Sequence, residues 1–238
     1  FIGSLPFPIL IKCMNRDFKS FFRDNQIIAL FFLLLSVIAL LCYWLMQNHH
    51  YDFYTALRYS SFNVVAILTT TGYTSYDYYS WGGFAVILFF FIGVIGGCTG
   101  STTGGIKIFR FQILFRTAKE QLARLIHPHV VYNISYSKNS VSSTGTSAVM
   151  GFFILFSFCF AIIATLLSFS GLDFITSFSA ATAVMANLGP GLGDIIGPAG
   201  NYSSLSDNVK WILTIGMIVG RLEIFTIFIL FTKLFWKD

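Results

Sequence analysis

Charge is what this sequence has least of. Only 11% of its 238 residues are Asp, Glu, Lys or Arg, against 55% hydrophobic, whereas soluble domains carry roughly 25% charged residues. That shortage excludes an ordinary water-soluble domain and predicts a protein of the lipid bilayer. Cysteine is sparse too. Cys13, Cys42, Cys98 and Cys159 lie far apart, with no CxxC and no Cys/His cluster at zinc spacing. They read as small core residues, not as a disulfide framework or a metal site. An initiator Met and a signal peptide are also lacking. The chain opens mid-run at Phe1-Ile2-Gly3, which predicts a fragment whose N-terminal part is missing. No Ser/His/Asp set or carboxylate pair falls at membrane depth, so an enzyme would have no nucleophile or base. His49, His50, His127 and His129 sit at span ends, as interfacial residues rather than metal ligands.

Long apolar runs are present, and their lengths alternate. Ile27 to Met46 and Ala148 to Phe169 are long enough to cross a hydrocarbon core of about 30 Å. Trp81 to about Gly97 is apolar and then breaks at a Gly-rich stretch, with helix resuming to about Ile126. Trp211 to Phe235 forms the last span, with Arg221 and Glu223 inside it. Between the spans lie two short segments too polar to cross as lipid-facing spans: 53–73, whose apolar run is Ser60 to Leu68, and Asp173 to Ala186. The predicted architecture is an all-α membrane protein of span–pore helix–span repeats, potassium-channel-like. The predicted domains are 1–26 (cytoplasmic end of a preceding span plus linker), 27–126 (one repeat with a broken second span), 127–146 (cytoplasmic linker) and 147–238 (another repeat). Setting Gly72 over Gly189, an offset of 117 residues, also aligns Ala66 with Ala183. Asp52-Phe53 and Asp173-Phe174 open both short helices. Letters agree thinly, so the repeat rests on architecture.

Charge also sets orientation. With the N-terminus cytoplasmic and the short helices dipping in from outside, all of the 15 Lys and Arg except Arg58, Lys210 and Arg221 lie inside or at the inner face. This obeys the positive-inside rule and explains the net charge of +5 without nucleic acid. Asp52, Asp77, Asp173, Asp194 and Asp207 fall outside, where they would concentrate cations at a pore mouth.

Each short helix ends in a Gly turn: Thr70-Thr71-Gly72-Tyr73, and Asn187-Leu188-Gly189-Pro190 followed by Gly191. A helix C-terminus aimed into the membrane favours a cation. Threonine carbonyls and hydroxyls, with glycine turning the backbone, supply oxygen ligands for a selectivity filter. The plainer alternative is a pair of ordinary Gly helix caps on outer loops. The break Gly96-Gly97-Cys98-Thr99-Gly100-Ser101-Thr102-Thr103-Gly104-Gly105 is not a phosphate-binding loop. Ile106 intervenes before Lys107, and helical spans flank it. It reads as a flexible plug at membrane depth, or alternatively as a small-residue helix contact. Arg221 in an apolar span requires a partner. Glu223, two positions on, lies on a different helix face. Carbonyls of the Gly-rich break are better placed, and a fixed cation there would gate a pore. A structural salt bridge to another helix is the alternative. A secondary transporter of another small solute built from broken helices also stays open, although Glu223 is its only candidate coupling carboxylate.

Taken together, four stretches resemble the TrkH/KtrB-type potassium uptake proteins of the Trk/Ktr/HKT family. They are Leu68 to Tyr73, Gly97 to Lys107, Ala186 to Gly193 and Gly220-Arg221-Leu222-Glu223-Ile224-Phe225-Thr226, with Gly3-Ser4-Leu5-Pro6-Phe7 at the start. The resemblance covers nearly the whole chain and corresponds to the C-terminal half of such a protein. It implies four repeats around one pore, of which two, the third and fourth, are present here. K+ would be held at Thr70, Thr71, Gly72, Asn187, Leu188 and Gly189. The gating loop would fall on 96–105 and the pore arginine on Arg221. It further implies a homodimer in the cytoplasmic (inner) membrane, crossed several times. The partner would be a TrkA- or KtrA-like nucleotide-binding regulatory subunit meeting the basic segments 12–26 and 107–140.

Overall fold

The computed structural model describes residues 1–127, 135–136, 139–140, 142–222, 224–233 and 235–236. Glu223, Pro128, His129, Lys138, Lys237 and much of the expected linker lie outside the described residues. Helices dominate: α1 Phe7–Met14, α2 Phe18–Arg23, α3 Asn25–Asn48, α4 Phe53–Leu68, α5 Gly83–Val94, α6 Ile108–Ile126, α7 Ser143–Phe169, α8 Phe174–Ala186, α9 Asp207–Arg221 and α10 Ile224–Leu230. Two 3-10 turns, Ile2–Ser4 and Tyr78–Trp81, and a two-residue antiparallel hairpin, β1 Ser135–Tyr136 with β2 Asn139–Ser140, complete the described elements.

Two helices, Asn25–Asn48 and Thr144–Phe169, are long and apolar enough to cross a membrane. Asp24 caps α3 by accepting from the amides of Gln26 at 2.8 Å and Ile27 at 3.1 Å. One face of α3 (Leu30, Leu34, Leu41, Leu45) is buried, while Phe31, Phe32 and Leu35 stay exposed. A helix apolar on both faces is expected of a segment that meets protein on one side and lipid on the other.

The two short helices start alike. Asp52 accepts from the Thr55 amide (3.4 Å) and Asp173 from the Thr176 amide (3.2 Å), as their positions in the sequence predict. Helix α4 packs on α3 and α5, α8 packs on α7 and α9, and α5 meets α8. Two apolar clusters result, and they exchange residues. Leu188 and Leu192, from beyond α8, complete the cluster built on α3, α4 and α5. Ile106, from the Gly-rich break, joins the cluster built on α7, α8 and α9.

The structure departs from expectation in the last span. The run Trp211–Phe235 is not one straight span. It divides after Arg221, and α9 and α10 are inclined at 106°. Arg221 therefore lies in the last turn of α9, where its charge suits the helix C-terminus. At the N-terminus the backbone also turns before α1. Ile2–Ser4 is a tight turn, and Ser4 is fully buried.

Candidate ion pathway

The ends of α4 and α8 carry the same backbone. Thr70 and Asn187 both turn left-handed, at φ 52° and 53°, and Gly72 and Gly189 follow at 74° and 108°. The Thr71 amide donates to the Ala66 carbonyl at 2.9 Å, and the Leu188 amide to the Ala183 carbonyl at 2.9 Å. Each is the long-range closure of a Schellman-type helix end. All four pairs differ by the same 117 positions in the sequence. Left-handed backbone is ordinary for glycine and tolerated by Asn, but strained for a β-branched Thr.

Each outgoing segment is then pinned back onto its helix. Asn63 of α4 accepts from the Ser75 amide (3.1 Å) and donates to the Ser75 hydroxyl (3.1 Å). Ser179 of α8 donates to the Leu192 carbonyl and accepts from the Leu192 amide, both at 2.9 Å. Both anchors are buried. The two turns also touch. A Cβ on Gly72 would run into the Leu188 carbonyl oxygen. The helix C-termini thus face one locus with their carbonyl ends, the arrangement that favours a cation.

The threonine hydroxyls have other work. Thr71 Oγ1 donates to the Ala66 carbonyl (3.1 Å), and Thr69 Oγ1 to that of Val65 (2.7 Å). Thr70 Oγ1 accepts from the Gly104 amide at 3.2 Å. These hydroxyls thus take part in framing the turn. The Tyr73 side chain is exposed.

The Gly-rich break packs directly against both helix ends. Besides meeting Thr70, Gly104 lies so close to the Ala186 carbonyl that a Cβ there would collide with it. The break is an ordered loop rather than slack chain. Its base closes through Gly96 N to Ile106 O (2.8 Å) and Ile106 N to Val94 O (2.9 Å). Lys107 Nζ reaches back to Ser101 Oγ (3.3 Å), Thr103 Oγ1 (3.0 Å) and the Thr103 carbonyl. The N-terminal segment braces it from another side: Cys98 N to Ser4 O (2.9 Å), Thr102 N to Gly3 O (3.1 Å) and Phe7 N to Gly100 O (3.0 Å). A Cβ on Gly97 would meet Ser4, so glycine is required for that approach. Arg221 Nη1 donates to the Thr102 carbonyl at 2.9 Å. A cavity of about 240 Å³ lies between this loop and α9, lined by Lys107, Arg110, Phe156, Met185 and Arg221 among others.

Every predicted site residue therefore falls in one of two adjoining assemblies, the paired turns or the loop beside them. A sequence profile of the TrkH family, described as cation transport protein, matches residues 2–238. The chain belongs to that family. The Trk system potassium uptake protein TrkI of Halomonas elongata is 43% identical over 236 residues, covering 99% of this chain and 48% of that protein. The Trk system potassium uptake protein TrkH of Vibrio parahaemolyticus is 36% identical, covering 92% of this chain and 45% of its own length. The crystal structure of the potassium transporter TrkH from Vibrio parahaemolyticus superposes with a TM-score of 0.91 at 34% identity, covering 99% of this chain and 51% of that one. The chain spans about half the length of the curated relatives it matches. As a member of the TrkH family it is a membrane protein.

Within this TrkH-family chain, sequence reasoning missed Asn63 and Ser179 as turn anchors, Lys107 as a loop tie and the Gly216–Gly220 pair. A Cβ on Gly216 would meet Val184 at 2.8 Å, and one on Gly220 would collide with the Met185 carbonyl. The GxxxG spacing that lets α9 approach α8 so closely is readable in the letters, but that run was read for its hydropathy and for Arg221.

Proposed function

We propose that this chain forms two quarters of a K+ pathway across the cytoplasmic membrane. Backbone carbonyls at Thr70, Thr71, Gly72, Asn187, Leu188 and Gly189 take the place of the ion's water, and Tyr73 and Pro190 close the two turns. The observation that carries this is the matched left-handed geometry at 70/187 and 72/189, set side by side at two helix C-termini. The named function of the relatives, potassium uptake, agrees with it.

In this reading Gly96, Gly97, Gly100, Ser101, Thr102, Thr103, Gly104 and Gly105 form a gate, held shut by Arg221 on the Thr102 carbonyl. The rest of the filter comes from two further repeats, and the assembled protein is a homodimer. A cytoplasmic nucleotide-binding subunit acts on the basic inner segments. Turns built from backbone carbonyls favour ion conduction over transport of a larger solute.

The test is ion discrimination in the whole protein, expressed in cells lacking other K+ uptake. A Cβ on Gly189 meets nothing nearer than Gly72 Cα at 3.9 Å, so Gly189→Ser strains the turn without a steric collision. Gly72→Ser both strains and collides. Both variants are expected to lower the K+/Na+ uptake ratio at matched membrane abundance. An unaltered ratio in both removes these glycines from the filter.

A further inference from the structure

The segment after the fourth-repeat turn does more than return the chain to α9. Residues 194–205 fold into a compact loop, closed by Gly191 N to Ile196 O (2.8 Å) and Asn201 N to Ile195 O (3.1 Å). This loop also makes a side-chain hydrogen bond to each outgoing segment. The Pro198 carbonyl accepts from Thr74 Oγ1 at 3.2 Å, one residue beyond the third-repeat turn. Tyr202 Oη donates to the Gly189 carbonyl at 2.8 Å. The second bond falls on a carbonyl of the proposed filter itself. Among the described residues no donor reaches the matching Gly72 carbonyl.

We propose that Tyr202 is a positioning residue of the ion pathway, whose hydroxyl fixes the orientation of the Gly189 carbonyl and so sets how well the fourth quarter fits K+. The inference rests on the filter reading above. A glycine at φ 108° has no side chain to resist rotation of its peptide plane. Something outside the turn must hold the plane, and a phenol at hydrogen-bond distance does so. Burial pushes the Tyr202 phenol up to about 12, so its proton is retained across ordinary pH. The ring packs among the apolar side chains of the α7–α9 cluster, which limits its own freedom. Tyr202 need not touch the ion. It acts through Gly189.

Tyr202→Phe in the whole protein keeps the ring and deletes the hydroxyl. A neutral hydrogen bond of this kind is expected to shift ion fit by about three- to tenfold. The expected result is a KM for K+ raised by that factor and a K+/Na+ uptake ratio lowered similarly, with maximal uptake per molecule retained. A merely structural tyrosine would lower membrane abundance or maximal uptake and leave KM and the ratio alone. Either that pattern or wild-type behaviour overturns the proposal. Gly189→Ser, measured beside it, separates the two ideas. If Gly189→Ser lowers the ratio and Tyr202→Phe does not, Tyr202 fails and the filter stands. If neither variant changes the ratio, both fail.

Discussion

The two repeats are built on one backbone plan and wired to different surroundings. At the end of α4, the left-handed residue is Thr70, whose hydroxyl accepts from Gly104 of the Gly-rich loop. At the end of α8, it is Asn187, whose amide donates at 3.3 Å to the Val184 carbonyl of its own helix and to the Met217 carbonyl of α9. Beyond the turns the contrast continues. The third-repeat glycine carbonyl has no donor among the described residues, and the fourth is held by Tyr202. In the third repeat, the helix after the turn stops after 12 residues and gives way to the loop. In the fourth it runs 15 residues and then bends. The turn geometry is shared; the residues around it tie the turn after α4 to the Gly-rich loop and the turn after α8 to α9 and the 194–205 loop.

The largest break in that comparison is expected at the point where the loop touches both repeats. Gly104→Ala places a methyl group against the Ala186 carbonyl, an overpacking that costs about 3 kcal/mol or more when backbone must move. Thermal unfolding of the purified protein should fall clearly below wild type. A wild-type melting temperature would show that the loop does not seat at the end of α8. Next in size, Arg221→Ala removes the bond to Thr102. A charge-assisted hydrogen bond is worth about 1.5–3 kcal/mol, so K+ flux at matched abundance is expected to rise about tenfold or more. Unchanged flux with lowered stability would make Arg221 structural.

The smallest effects test the symmetry of the caps. Asp52→Ala and Asp173→Ala should each cost about 1 kcal/mol of stability, and a large inequality between them would mark a second role for one. The Thr176 side chain and amide hold the Asp173 carboxyl below its usual value. Its folded-state value is the depressed one, so its contribution is complete above the unfolded value, near pH 4. It is lost as pH falls through the folded value. The stability gap between wild type and Asp173→Ala should therefore be constant from neutral pH down to about pH 5 and close below about pH 4. A gap that persists there would show that the ionised carboxylate is not what caps α8.

Much of this was legible in the sequence, for physical reasons that vary by residue. Hydropathy marks α3 and α7 because lipid tolerates few charges. Asp52, Asp173, Gly72 and Gly189 mark the ends of the short helices because caps and left-handed turns demand those residue types. The pairing of Arg221 with a loop carbonyl followed from the cost of an unpartnered charge. The bend after Arg221 was not read from the sequence: Gly220 stands beside it, but no proline does and the hydropathy runs through it. Tyr202 was not legible either, because its bond to Gly189 crosses a loop with no local signal. The bond from the Gly104 amide to the Thr70 hydroxyl was not legible, because those residues lie 34 positions apart.

The exchange of Leu188 and Ile106 between the two apolar clusters bears on how the protein is made. As synthesis proceeds from the N-terminus, α3, α4 and α5 exist before residue 188 has been joined to the chain. Their cluster is then short of a side chain that is later only 7% exposed. Ile106 in turn waits for α7, α8 and α9 before it has a cluster to enter. Neither half can reach its final packing inside the bilayer alone. The final packing of each half thus depends on residues supplied by the other.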